Sequence, residues 1–206
     1  MPKIIADVEN KIYRAALELF TSTDYNSVNM KKVARNAGIA VGTLYNYYDN
    51  KEELFLNVLE KSWQTTFFKL DKIARELEGE RQFRETISQL YDDISQRKGM
   101  GEDLMEGNIL DARGMKVINQ VKNKIIKRLR SSLEECCHQR GLKMREDHKQ
   151  RLLHMLLVEI IELVREFPEE REQNLCFLKQ MLVTLTEKFS SDPDLNNLNE
   201  DPASSS

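Results

Sequence analysis

The sequence predicts an all-α chain, a three-helix helix-turn-helix unit followed by a larger helical domain, with about nine helices in total. Three observations carry that expectation. The 206 residues include only four Pro and eight Gly, and 32% are charged, so turn formers are scarce and good helix formers abundant. Apolar residues recur at intervals of three and four rather than two. Between residues 33 and 48, two short helical stretches flank Gly38. A hydrophobic content of 40% is enough to build a core.

Ile5, Val8, Ile12, Ala16, Leu19 and Phe20 form one face of a first helix that ends between Thr21 and Asp24. Asn29 caps a second, short helix through Met30, Val33 and Ala34 that stops at Gly38. A third spans about Ala40 to Tyr47. Asp49 and Asn50 offer a cap before Lys51, and Leu54, Phe55, Val58, Leu59, Phe67, Leu70, Ile73 and Leu77 continue one long helix to Gly79.

A helix through Phe83, Ile87, Leu90, Tyr91 and Ile94 follows, then a shorter one from Asp103 to Asp111. The stripe Ile118, Val121, Ile125, Leu129, Leu133 and Cys136 marks the next, closed by Gly141. In the penultimate helix, paired apolar positions at Leu152/Leu153, Leu156/Leu157 and Ile160/Ile161, then Val164, make a broad face. The last carries Leu175, Leu178, Leu182, Leu185 and Phe189 after a break at Phe167-Pro168, so the two should pair antiparallel. Such a pair could be buried inside one chain or could join its own copy. The polar segment 191–206 is expected to be a disordered tail.

Charge and motif content exclude several functions. A net charge of -3 argues against nucleic-acid binding over the whole surface, but not against one small basic face. No stretch approaches the roughly 20 apolar residues of a membrane span and no apolar leader follows Met1-Pro2-Lys3, so a cytoplasmic protein without membrane association is expected. Three cysteines give no disulfide framework, and Cys136, Cys137 and His138, consecutive on a helix, diverge too far to hold one metal ion; a buried thiol beside an exposed one is expected. His138, His148 and His154 lack partners at catalytic spacing, Glu159 and Glu162 stand alone, and no Gly-rich phosphate loop occurs. No enzyme, metal or cofactor is expected.

The run from Val33 to Tyr48 meets the requirements of a helix-turn-helix. Ala34 and Ala37 are small where two helices approach, Gly38 supports a left-handed turn, and Ile39 fills the angle. Leu44 and Tyr48 face inward at i and i+4. Thr43, Asn46 and Tyr47 then lie opposite, with Tyr45 at the margin, on a short helix that fits the major groove. Gly42 and Thr43 are small enough to let its backbone approach the bases.

The run from Val33 to Leu54, closing with Lys51-Glu52-Glu53-Leu54, resembles the signature of the TetR family of bacterial regulators over about residues 8 to 59. The resemblance implies a dimer on double-stranded operator DNA, with residues 1–50 as the DNA-binding domain and 51–190 as a ligand-binding and dimerisation domain. It implies that Thr43, Tyr45 and Tyr47 touch phosphates or base edges, that Gly42 lets the backbone lie against a base, and that Asn46 reads one. Lys51 would meet a phosphate, and Ser27 and Asn29 would bind phosphate through side chain and amide. Two positions depart from the family: Ala40 replaces the usual serine cap and Val41 a common basic residue.

For the sensor half, Trp63, Phe67, Phe68, Phe83, Tyr91, Met105, Met115 and Met155 are candidates to line a small-molecule cavity, or else ordinary core. Leu153, Leu156, Leu157, Ile160, Ile161, Val164, Leu178, Leu182 and Leu185 are the expected dimer interface. The basic run Lys116, Lys122, Lys124, Lys127, Arg128 and Arg130 is either a solvated face or an anion contact. A repressor released by a small molecule is expected. The rivals are a DNA-bound protein acting through a protein partner, and a helical small-molecule binder with a vestigial head.

Overall fold

The computed structural model describes residues 2–97, 100 and 112–191. Eight α-helices and no strand occur among the described residues: α1 (Pro2–Ser22), α2 (Met30–Ala37), α3 (Val41–Tyr45), α4 (Lys51–Glu76), α5 (Gly79–Ser95), α6 (Ala112–Gln139), α7 (Glu146–Glu166) and α8 (Arg171–Ser191). A 3-10 turn, Tyr25–Ser27, joins α1 to α2. The short helix expected at 103–111 lies outside the described residues, as does the expected tail beyond Ser191. The long helix expected to reach Gly79 ends at Glu76 instead. Gly79 has φ +54 and opens α5, so the left-handed residue separates the two helices.

Packing divides the chain into two compact units, residues 1–71 with 92–125 and residues 72–91 with 126–206. These units follow contacts and are distinct from the division by role expected at residue 50: the first turns of α4, with buried Leu54, Phe55 and Val58, belong to the first unit. In the first unit, Ile12, Ala16, Phe20, Val33, Ala34 and Leu44 are almost fully buried. Phe20, Tyr25 and Phe55 close that core as an aromatic trio, with Phe55 edge-on to both partners at 5.0 and 5.1 Å between centroids.

In the second unit, Phe83, Ile87, Leu90 and Tyr91 of α5, Leu129, Leu133 and Cys136 of α6, and Leu152, Leu156 and Ile160 of α7 are buried with Leu175, Leu178 and Leu182 of α8. Asn174 is buried among them, and its Nδ2 donates to the Tyr91 hydroxyl and to the Phe167 carbonyl, both at 2.8 Å. That single amide ties α5 to the α7–α8 corner. The expected pairing of a buried with an exposed thiol needs correction: Cys136 and Cys137 are both buried, because α6 is covered on two sides. Burial raises both thiols above their ordinary pKa, which makes them poor nucleophiles. Among the described residues no three metal-binding side chains converge, and no helix is long and apolar enough to cross a membrane.

Candidate nucleic-acid interface

The reading head is built from local signals. Asn29 has extended backbone, and its Oδ1 accepts the amide N–H of Lys32 at 3.0 Å, so α2 starts on a side-chain cap. At the other end Gly38 takes φ 67 and ψ 35. The Ile39 amide donates to Ala34 O at 3.0 Å and the Gly38 amide to Arg35 O at 3.2 Å, the paired bonds of a Schellman turn. That turn aims α3 away from α2.

Helix α3 is shorter than expected, Val41–Tyr45, with Asn46 and Tyr47 continuing as a turn whose Tyr47 amide donates to Leu44 O at 3.0 Å. Ala40 leads into it with extended backbone and no side-chain cap, which accounts for so short a helix. Leu44 is fully buried and anchors it. Tyr48, expected inward, is half-buried and donates from its hydroxyl to Asn57 Oδ1 at 3.1 Å.

Tyr45 and Asn46 are exposed on the other side, Thr43 and Tyr47 half-buried beside them. Gly42 is exposed too, its φ is not positive, and a Cβ built on it would meet no atom of the chain within 4 Å. Neither backbone conformation nor internal packing therefore requires glycine there.

Other expected contacts are partly committed within the protein. The Ser27 amide donates to Asp24 Oδ1 at 2.9 Å, its side chain hydrogen-bonds the same carboxylate, and its carbonyl accepts from Lys32 Nζ at 2.7 Å. Hydrogen bonding from Ser27 holds the Asp24 carboxyl below the usual carboxylate range. The Asn29 Oδ1 is spent on its cap. The Lys51 ammonium donates to Tyr25 O at 2.9 Å and sits 3.9 Å from the Tyr25 ring centroid, so it fastens α4 to the turn before α2. Glu53 completes this junction: its amide donates to Asn50 Oδ1 and its carboxylate accepts the Asp49 amide, both at 2.8 Å. By helix geometry the Met30 and Lys31 amides have no intrahelical acceptor, and with exposed Lys31 and Arg35 they form the basic margin of the head.

The expected cavity residues fall in both units. Trp63 and Phe67 lie together on α4 in the first unit, 5.9 Å between ring centroids. Phe83 and Tyr91 belong to the core of the second, where Phe83, Ile87, Cys136 and Leu182 floor a cleft rimmed by Arg84, Arg140 and Lys179. Phe68, Met115 and Met155 are surface residues, and Met105 lies outside the described residues. On the basic helix Arg130 pairs with Glu134 and Glu146, while Lys116, Lys122 and Lys127 are exposed.

The residues expected at the dimer interface divide by burial within the single chain. Leu153, Leu156, Leu157, Ile160, Val164, Leu178 and Leu182 are buried by the chain's own helices, and Ile161 and Leu185 are half-buried. A side chain already sealed within its own core has no area left for a partner. The apolar side chains open on α7 and α8 are Met155, Val158 and Phe177, the last two more than half exposed or at half.

Residues 12–58 match the family model of the bacterial regulatory proteins, tetR family. A transcriptional regulator with a helix-turn-helix, YuxN of Bacillus subtilis, is 30% identical over 103 residues, 49% of this chain and 35% of that protein. The transcriptional repressor KstR of Mycolicibacterium smegmatis is 34% identical over 64 residues, 31% of each chain. The chain thus spans about a third of the length of the curated relatives it matches. Among solved structures, the regulator FadR of Bacillus subtilis, in complex with stearoyl-CoA, superposes with TM-score 0.67 at 18% identity over 89% of this chain and 98% of its own. Residues 12–58, which hold α2 and α3, thus match the bacterial regulatory proteins of the tetR family, and the chain as a whole shares its all-α fold with solved regulators.

Proposed function

We propose that this protein is a transcriptional repressor that binds double-stranded operator DNA as a homodimer and is released by a small molecule. The observation that carries the DNA half is Gly42, a glycine without an internal reason, set beside exposed Tyr45 and Asn46 on a helix anchored by Leu44. A helix in the major groove needs such a bare backbone position flanked by hydrogen-bonding side chains. Thr43, Tyr45, Asn46 and Tyr47 are the contacting side chains, with the α2 amides on phosphate.

This reading requires a dimer whose two heads meet major-groove faces about one helical turn of DNA, roughly 34 Å, or a multiple apart. Met155, Val158 and Phe177 supply the open apolar surface for that contact. Release by ligand is a population shift: the ligand need only bind better to a conformation whose heads are out of spacing.

The test is selection of a duplex from a random pool by the full chain, followed by fluorescence anisotropy. Tyr47→Ala should weaken the selected duplex by about tenfold, the loss of one good polar or stacking contact, while sedimentation shows an unchanged dimer. Enrichment of no sequence at moderate salt, or a Tyr47→Ala variant with wild-type affinity, would overturn the assignment.

A further inference from the structure

A buried polar cluster in the first unit plays no part in the interface described above. Arg97 follows the last turn of α5 and reaches across to α4. Its Nε donates to Ser62 Oγ at 3.0 Å, and one terminal nitrogen donates to both Ser62 O at 2.7 Å and Thr66 Oγ1 at 2.8 Å. The other terminal nitrogen donates to the Asp93 carbonyl. The guanidinium stacks 4.8 Å from the Trp63 ring centroid. Ser62 and Thr66 are buried, so these bonds are made away from water.

The cluster reaches the head as well. Tyr13 of α1 lies within the field of Arg97, which offsets part of the rise that burial imposes on its hydroxyl, and Lys61 sits 4.6 Å over the Tyr13 ring. The Asp93 carboxylate is almost wholly buried; its Oδ1 accepts from Lys69 Nζ at 2.7 Å, but its Oδ2 has no hydrogen-bond partner. A carboxyl oxygen left without a donor in the interior is costly, and the guanidinium four residues further along the chain is the natural group to relieve it. The same arginine therefore has two alternative sets of acceptors, one on α4 and one on Asp93.

We infer that Arg97 is a positioning residue for DNA binding: docked on Ser62 and Thr66 it holds α4 and α1 in the operator-binding pose, and its transfer to Asp93 Oδ2 releases that pose. This rests on the reading of the head as a DNA-binding domain. It differs from a plain structural staple because one substitution should loosen the pose while another, equally buried, should not.

The experiment uses the full chain and the duplex that the wild-type protein enriches from a random pool. Arg97→Lys keeps the charge but cannot span Ser62 and Thr66, and should weaken the duplex by about tenfold per folded dimer, the scale of a lost charge-assisted bond. Thr66→Val removes one hydroxyl at constant shape and should weaken it by about threefold, which keeps the test open if the lysine variant folds poorly. Asp93→Asn removes the competing charge and should leave affinity at or above wild type. Trp63 is the only tryptophan, so its emission reports departure of the guanidinium directly and should change in Arg97→Lys and Thr66→Val but not in Asp93→Asn. A merely structural role would lower the folded fraction in all three variants without changing affinity per folded dimer, and that result would overturn the inference, as would an emission change without an affinity change. If the wild-type chain enriches no duplex, the DNA-binding reading itself fails and this inference falls with it.

Discussion

At Gly42 stability and function should pull in opposite directions. Glycine inside a helix costs about 0.5–1 kcal/mol relative to alanine, and a Cβ here has free space around it, so Gly42→Ala should raise the stability of the head by that amount in chemical denaturation. The same methyl group would stand between the α3 backbone and the bases, and duplex affinity should fall by about tenfold. A variant that gains stability and keeps affinity would remove the strongest reason for placing α3 in the groove. Val41 invites the converse change. It is half-buried at the start of α3, beside the proposed phosphate path, so Val41→Lys should steepen the dependence of log affinity on log salt by about 0.9, the release of one counterion. Lys51 donates to Tyr25 O, so Lys51→Ala would loosen the junction of α4 with the head, whatever it does to duplex binding.

At the scale of helices, what holds each element in place differs between the two halves. The head is fastened by short-range devices: the Asn29 cap, the Gly38 turn, and the reciprocal bonds of Asp49, Asn50 and Glu53. The second unit relies on a long-range one. Asn174 lies 83 residues from the tyrosine it bonds, and Asn174→Ala would leave the Phe167 carbonyl and the Tyr91 hydroxyl without that donor in the interior. A cost of about 1–3 kcal/mol is expected in urea unfolding, with the far-ultraviolet helical signal retained. Nothing in the periodicity of α8 singles out this asparagine, because its pattern shows only a polar residue next to Leu175. Its meaning comes from α5 and the α7–α8 corner.

For the whole molecule, burial bears on where the proposed dimer contact would lie. Since Leu153, Leu156 and Ile160 are consumed by the chain's own core, the dimer should depend on the opposite, open side of α7 and on Phe177. Val158→Glu combined with Phe177→Glu is expected to give a folded monomer in sedimentation velocity, with operator affinity lost because a single head spans only one half-site. Leu156→Glu should instead unfold the second unit, since it places a charge without a partner in a sealed core. The two variants separate interface from core by experiment.

The sequence alone settled the helix-turn-helix, since everything it needs is local: a cap at Asn29, a left-handed glycine at position 38, and apolar residues one turn apart within about 25 residues. Family signature and physical requirement coincide there, so the head could be read residue by residue. The positions of most helices followed from the same 3.6-residue period. Tertiary structure alone decided which side of α7 turns inward, because adjacent apolar pairs at 152/153, 156/157 and 160/161 give a face wide enough to be a core, an interface or both. It also decided the fate of Arg97, whose acceptors on α4 lie 31 and 35 residues earlier in the chain. Periodicity records how a helix is divided between water and oil; which neighbour supplies the oil, or the missing hydrogen bond, is fixed only when distant segments pack.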